Sequence, residues 1–283
     1  MHRLVGLAIV LCVIVPSYAQ NPGAFLDVNG SKLYYEECGN GPQTVLLVHD
    51  GVVHSAVWDG IWPEFCRRFH TIRFDRRGYG KSGESKAAYY ETDDVLALLR
   101  HLKVEHTAIV GASHGGQLSI DFTLAHPEMV QQLVLVGAVV GGMPYSEHFL
   151  NRGERVWGAV NPKDPAGSAA TISKDKYLTA PGSDAARKKL AELLAASPQD
   201  FSHSEMFLGV KPALPRLGEI HVPTLILVGD ADIPDVHAHA GAIEAGIPNS
   251  RRVVVEGTGH LMYLEKPDEF SRIVVPFLEE NAR

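Results

Sequence analysis

Apolar and polar residues follow two rhythms along this chain. Residues 25–28 and 32–38 read as paired strands around Asn29-Gly30, a dipeptide that accepts the positive φ of a two-residue hairpin turn. Unbroken apolar runs then recur at 44–48, 71–74, 107–110, 133–136, 224–228 and 252–255, the pattern of strands buried on both faces. Between them, residues 58–69, 92–102, 116–125, 235–245 and 267–280 carry the three-to-four-residue period of helices. Strands alternating with helices require right-handed crossovers and a mostly parallel sheet flanked by helices, so the fold class is α/β.

Two intervals break the rhythm. From 141 to 220 only helical and loop patterns occur, such as 185–196, and the interval is too long for a plain loop. It reads as a helical cap inserted after the sixth strand, lying over the carboxyl ends of the strands, where ligands bind in such sheets. The core is then 20–140 together with 221–283. The other interval is the N-terminus, where His2 and Arg3 precede an apolar run at 4–15 that is too short to span a bilayer. Ser17 and Ala19 supply the small residues of a cleavage site, so residues 1–19 read as a signal peptide and the mature chain as secreted or periplasmic. No membrane attachment is expected after cleavage, because Ile9-Val10-Leu11 lacks the small residue that precedes a lipid-modified cysteine.

Composition mainly excludes. The 26 basic and 33 acidic residues give a net charge of −7 spread along the chain, which offers no footprint for nucleic acid. Cys38 and Cys66 remain in the mature chain. An oxidising compartment permits their pairing, two separate thiols packed as small hydrophobes is the equal alternative, and spacing does not choose.

Candidate chemistry starts at Gly111-Ala112-Ser113-His114-Gly115. The Gly-x-Ser-x-Gly pattern is common by chance, but here it sits between a buried strand run and a helical run, the setting of a nucleophile elbow. Such a turn exposes the serine hydroxyl at a helix N-terminus, whose amides can receive an oxyanion. A serine also needs a base and an orienting acid. Asp232 stands in Val228-Gly229-Asp230-Ala231-Asp232-Ile233-Pro234 after one buried run, and His260 in Glu256-Gly257-Thr258-Gly259-His260 after the last.

In the order Ser113, Asp232, His260, the chain resembles the α/β-hydrolase fold family over essentially its mature length. Further points of likeness are the Asp75-Arg76-Arg77-Gly78-Tyr79-Gly80-Lys81-Ser82 loop and an insertion at the usual cap position. The resemblance implies an eight-stranded sheet, Ser113 as nucleophile, His260 as general base and acid, Asp232 as its orienting carboxylate, and no cofactor or metal. Asp230 is the alternative acid. The oxyanion hole is expected from the backbone N–H groups of His114 and Gly51. At Asp50 the sequence departs from the family, which has glycine after His49. A carboxylate aimed at the hole would oppose the developing charge, so the Asp50 side chain is expected to turn away and bond to its own loop.

Other motifs weigh less. Gly78-Tyr79-Gly80-Lys81-Ser82-Gly83 fits a dinucleotide fingerprint, but no helix opens at its third glycine. Asp75 and Arg77 read instead as a structural charge pair. His237 and His239 are spaced wrongly for a helical metal pair. His54, Tyr145, Phe149, Trp157 and Phe207 are candidates for the substrate pocket, with ordinary packing as the alternative.

Serine at 113 points to acyl transfer on a small carboxylic ester or lactone. The alternatives are carbon–carbon bond hydrolysis, cofactor-free perhydrolysis, and a triad-bearing small-ligand receptor. Export makes the first prediction: N-terminal sequencing of secreted or periplasmic protein should begin at Gln20, and material beginning at Met1 would contradict it.

Overall fold

The computed structural model describes residues 23–161, 163–201 and 206–281; the signal segment predicted at 1–19 lies outside the described residues. One eight-stranded sheet has the order β1-β2-β4-β3-β5-β6-β7-β8. β1 (Ala24–Val28) and β2 (Ser31–Cys38) form the expected antiparallel hairpin, turned at Gly30 with φ +76°. β2 also runs antiparallel to β4 (His70–Phe74). From there β3 (Thr44–Val48), β5 (Thr107–Ala112), β6 (Val130–Val136), β7 (Thr224–Gly229) and β8 (Ser250–Val255) continue in parallel.

The period-two geometry of a strand divides each apolar run between two cores. Val45, Leu47, Val110, Val134 and Leu227 face one side, packed under α1 (Trp62–Arg68), α8 (Met262–Glu265) and α9 (Pro267–Glu280). Leu46, Val48, Ile109, Leu135 and Ile226 face the other, packed under α2 (Glu91–His101), α3 (His114–Ala125) and α7 (Pro234–Gly246). Every residue of β5 and β7 is buried, which is why neither shows polar alternation.

Between β6 and β7 lie α4 (Glu147–Trp157), α5 (Pro165–Ile172) and α6 (Asp184–Ala196), followed by single 3₁₀ turns at Pro198–Phe201 and Leu214–Glu219. Hydrogen bonds along its length tie this segment to the rest of the chain. At its start, Ser146 N and Oγ donate to the Asp235 carboxylate at 2.7 and 2.8 Å. In its middle, the carbonyls of Tyr177 and Leu178 accept from His260 N and Leu261 N at 2.8 and 3.0 Å. Near its end, buried Asp200 accepts from Gly80 N at 2.8 Å and from the His54 ring at 2.7 Å.

The structure departs from the sequence reading at several points. The helix expected at 58–69 begins only at Trp62, where Pro63 favours a first turn, and Ser55–Trp58 is a 3₁₀ turn. β8 is an edge strand with Arg251 and Arg252 exposed, not a strand buried on both faces. Asp75 and Arg77 do not pair. Arg77 forms a two-pronged bond to Asp94 at 2.6 Å on each arm, whereas Asp75 accepts from Ser55 and from Lys81 N. The open question over the cysteines closes: Cys38 on β2 and Cys66 on α1 form a disulfide with Cα atoms 5.2 Å apart.

Candidate active site

Ser113 stands where β5 gives way to α3, with φ +52° and ψ −117°, a conformation costly for any residue with a Cβ. The turn closes because the chain is bare on either side of it. A Cβ at Gly111 would strike Ser119 Oγ and the Gly115 carbonyl, and one at Gly115 would strike the Val48 and His49 carbonyls. Ser113 N donates to Val136 O at 2.8 Å, which pins the turn to β6.

Asp232 and His260 meet across the ends of β7 and β8. His260 Nδ1 donates to Asp232 Oδ2 at 2.8 Å, and Ile233 N donates to Asp232 Oδ1 at 2.7 Å. The carboxylate only accepts, so the proton sits on Nδ1 and Nε2 keeps its lone pair. Burial is the largest single influence and pulls the imidazole pKa down, but the charge and hydrogen bond of Asp232, joined by the charge of Asp50, hold it above the ordinary histidine value. Asp230 faces solvent and receives Thr258 N at 3.1 Å, so it braces the histidine loop and does not touch the ring. Ser113 and His260 line one cavity without a direct hydrogen bond between their side chains, a spacing common before substrate arrives.

Asp50 turns away as expected. Its Oδ1 accepts from Val52 N at 2.5 Å and Val53 N at 3.0 Å, and its Oδ2 accepts from Tyr263 Oη at 2.6 Å. This leaves the N–H groups of Gly51 and His114 without acceptors among the described residues, both on the wall of the Ser113 cavity. A buried charge network holds these donors in place. His49 Nδ1 donates to Asp50 O at 2.7 Å while its Nε2 accepts Arg76 N at 2.9 Å, and burial followed by the nearby Arg76 charge keeps this ring neutral. Arg76 also donates to Asp50 O at 3.1 Å and to Glu91 at 2.8–2.9 Å, and Glu91 accepts His114 Nε2 at 2.7 Å. Burial alone would raise the Glu91 pKa; the Arg76 guanidinium and His114 overcome it and hold the carboxyl well below the usual range.

The cavity measures about 380 Å³. Its floor is Gly51, Ser113, His114, Asp232 and His260, and its roof comes from Tyr145, Phe149, Arg152 and Trp157 on and before α4. A concavity of similar volume between α1 and α9 is lined by groups such as Glu64, Arg68 and Arg272 and contains none of this chemistry. Of the pocket residues expected from sequence, Tyr145, Phe149 and Trp157 line the cavity. His54 does not. Its ring is instead hydrogen-bonded to the buried Asp200 carboxylate at 2.7 Å. Phe207 also stays outside the lining, with its ring against the His114 ring at 5.3 Å.

A model of the family described as the alpha/beta hydrolase fold matches residues 43–267 of this chain. The chain belongs to the α/β-hydrolase fold family. Among curated relatives, this hydrolase is 26% identical over 254 residues to a pimeloyl-[acyl-carrier protein] methyl ester esterase of Nitrosomonas europaea, covering 85% of this chain and 97% of that one. It is 27% identical over 278 residues to a 2-hydroxy-6-oxononadienedioate/2-hydroxy-6-oxononatrienedioate hydrolase of Paraburkholderia xenovorans, covering 87% and 90%. Among solved structures, a thermophilic esterase from Thermogutta terrifontis shares the fold with a TM-score of 0.73 at 22% identity, covering 95% of this chain and all of that one.

Sequence reasoning missed Arg152, Glu91 and Glu265 in this hydrolase. Each is a charged residue that belongs to no motif, brought to the site from a separate element. Glu265 accepts Gly259 N beside the histidine and Ala180 N and Ser183 Oγ from the inserted segment, all at 2.7 Å, and so joins that segment to the histidine loop.

The role of Asp50 is testable. Asp50→Ala removes the acceptor for three donors and loosens the Gly51 N–H, so ester-cleaving kcat should fall about 10²-fold, near 3 kcal/mol, together with a lower urea midpoint. A rate gain at unchanged stability would mean that the carboxylate opposes the reaction.

Proposed function

We propose that this chain is an exported, secreted or periplasmic serine hydrolase that cleaves small carboxylic esters or lactones through an acyl-enzyme. The observation that carries the reading is one cavity wall bearing Ser113 on its elbow, the Asp232-oriented His260 and the two uncommitted N–H groups of Gly51 and His114. In this mechanism His260 Nε2 takes the proton of Ser113 Oγ as the oxygen attacks the carbonyl carbon. The carbonyl electron pair moves to an oxyanion held by the two N–H groups. The oxyanion collapses, the carbon–oxygen bond to the alcohol breaks, and His260 gives its proton to the departing alkoxide. Water then repeats the sequence, releasing the acid and restoring Ser113. No step calls on a metal or cofactor.

Two relatives bear on the substrate. The methyl ester esterase of N. europaea favours ester cleavage, and a lactone enters through the homoserine lactone degrading enzyme Est816, which shares the fold at TM-score 0.72 and 24% identity over 90% of this chain and all of that one. Carbon–carbon bond hydrolysis is the second reading, favoured by the 27% identity to the P. xenovorans hydrolase. A cavity of this volume suits a small molecule.

Turnover of p-nitrophenyl acetate and butyrate tests the reading, with Ser113→Ala expected to lose at least ~10³-fold. The base must be neutral to act, and its pKa is raised. The acid limb of kcat/KM should therefore have a midpoint above about 6.5, and activity should fall as pH drops through it. Asp232→Asn should cut kcat by about 10³–10⁴. Full activity in Ser113→Ala, or a pH-independent rate across pH 5–8, would refute the mechanism.

A further inference from the structure

The site holds one charged group that the mechanism above does not use. Arg152, on α4, lines the cavity, and its side chain is only 11% exposed. Its Nε and Nη2 donate to the two oxygens of Asp175 at 2.9 and 3.0 Å. Asp175 is itself buried, also accepts Tyr177 N at 2.9 Å, and is not among the residues that line the cavity. The cation therefore meets the cavity with its counter-charge set back from it.

A guanidinium carries five N–H donors in a rigid plane. Asp175 engages two, and Nη1, with its two N–H bonds, has no acceptor among the described residues. The plane cannot swing freely, because the two-pronged bond fixes it and the Tyr177 ring lies 5.7 Å from its carbon. The cavity it meets is otherwise lined on this side by Tyr145, Phe149, Trp157 and Leu178, which are apolar or aromatic. In such surroundings a fixed cation strengthens its attraction for an anion. The one carboxyl group on this lining, Asp232, is already engaged by His260 and Ile233 N. His260, held above its ordinary value against burial by Asp232, also feels Arg152 as an opposing positive charge, so the guanidinium acts within the reacting region.

We infer that Arg152 recognises a carboxylate on the substrate, so that the preferred ester or lactone is an anion: a half-ester of a short dicarboxylic acid, or a lactone bearing a free carboxyl group. This rests on the hydrolase reading of the same cavity. It extends that reading from bond type to substrate class, with Asp175 as the positioning residue that sets the guanidinium plane.

The test compares monomethyl adipate with methyl hexanoate, which differ by a carboxylate in place of a terminal methyl. In the wild-type chain kcat/KM for the anionic ester should exceed that for the neutral one by at least about tenfold. Arg152→Gln should bring the ratio to about one, and Arg152→Lys, which keeps the charge without the planar fork, should fall between. A wild-type ratio at or below one overturns the inference, as does a ratio that survives Arg152→Gln. Calorimetric binding of both esters to Ser113→Ala separates this inference from the hydrolase reading. Tighter binding of monomethyl adipate by at least about tenfold supports anion recognition even if no ester is turned over, and equal binding overturns it even if neutral esters are cleaved.

Discussion

The site depends on one strained residue. Ser113 at φ +52° holds a conformation that costs on the order of 1–3 kcal/mol and persists only where its surroundings fix it more firmly than the strain can relax. Here β5 ends and α3 begins with no intervening loop; Gly111 lets α3 close on β5, and Gly115 lets it close on the end of β3, to distances that side chains would forbid. The strain has a geometric result. It turns the serine out of the sheet plane toward the cavity and leaves the N–H of His114, at the first turn of α3, unpaired beside it.

A turn fixed this way gives a reacting oxygen little room to adjust, so the partners must be held equally well. The loop after β3 achieves this with buried charge. Asp50, inaccessible to solvent, would be costly if unpaired, but it has three donors of its own, and its carbonyl takes two more from His49 and Arg76. Asp50, standing where the sequence resemblance leads one to expect glycine, is held in place by a full set of hydrogen bonds. The Arg76–Glu91–His114 chain then runs from this loop to the residue after the serine, so the sources of both free N–H groups share one network. On the far side, Glu265 and the Tyr177–Leu178 carbonyls link the histidine loop to the inserted helices. The roof of the cavity is thereby attached to the base and not merely laid over it.

Most of the sheet was legible because its signals are local. The run Thr44-Val45-Leu46-Leu47-Val48 is β3 residue for residue, and the Asn29-Gly30 turn is where the hairpin folds. Ser113, Asp232 and His260 were found through short motifs at strand ends, where backbone geometry restricts residue choice. What escaped was long-range pairing. Nothing near His54 signals that Asp200, 146 positions on, will take its ring away from the pocket, and nothing near Arg152 signals Asp175 behind it. β8 failed for a related reason: Val253, Val254 and Val255 read as interior, but sheet order, not composition, makes β8 an edge. Gln132 on β6 is the converse, a polar residue fully buried because the Leu278 carbonyl on α9 accepts its amide.

The central claim is that the elbow presents Ser113 as the nucleophile. The most direct measurement is intact-mass and peptide mass spectrometry of the folded protein after exposure to a fluorophosphonate, which phosphonylates an activated serine with loss of fluoride. The account predicts one adduct per chain, located on the peptide carrying Ser113, and slower labelling when His260 is replaced by alanine. An unlabelled Ser113 in folded protein, or an adduct at another serine, would contradict it.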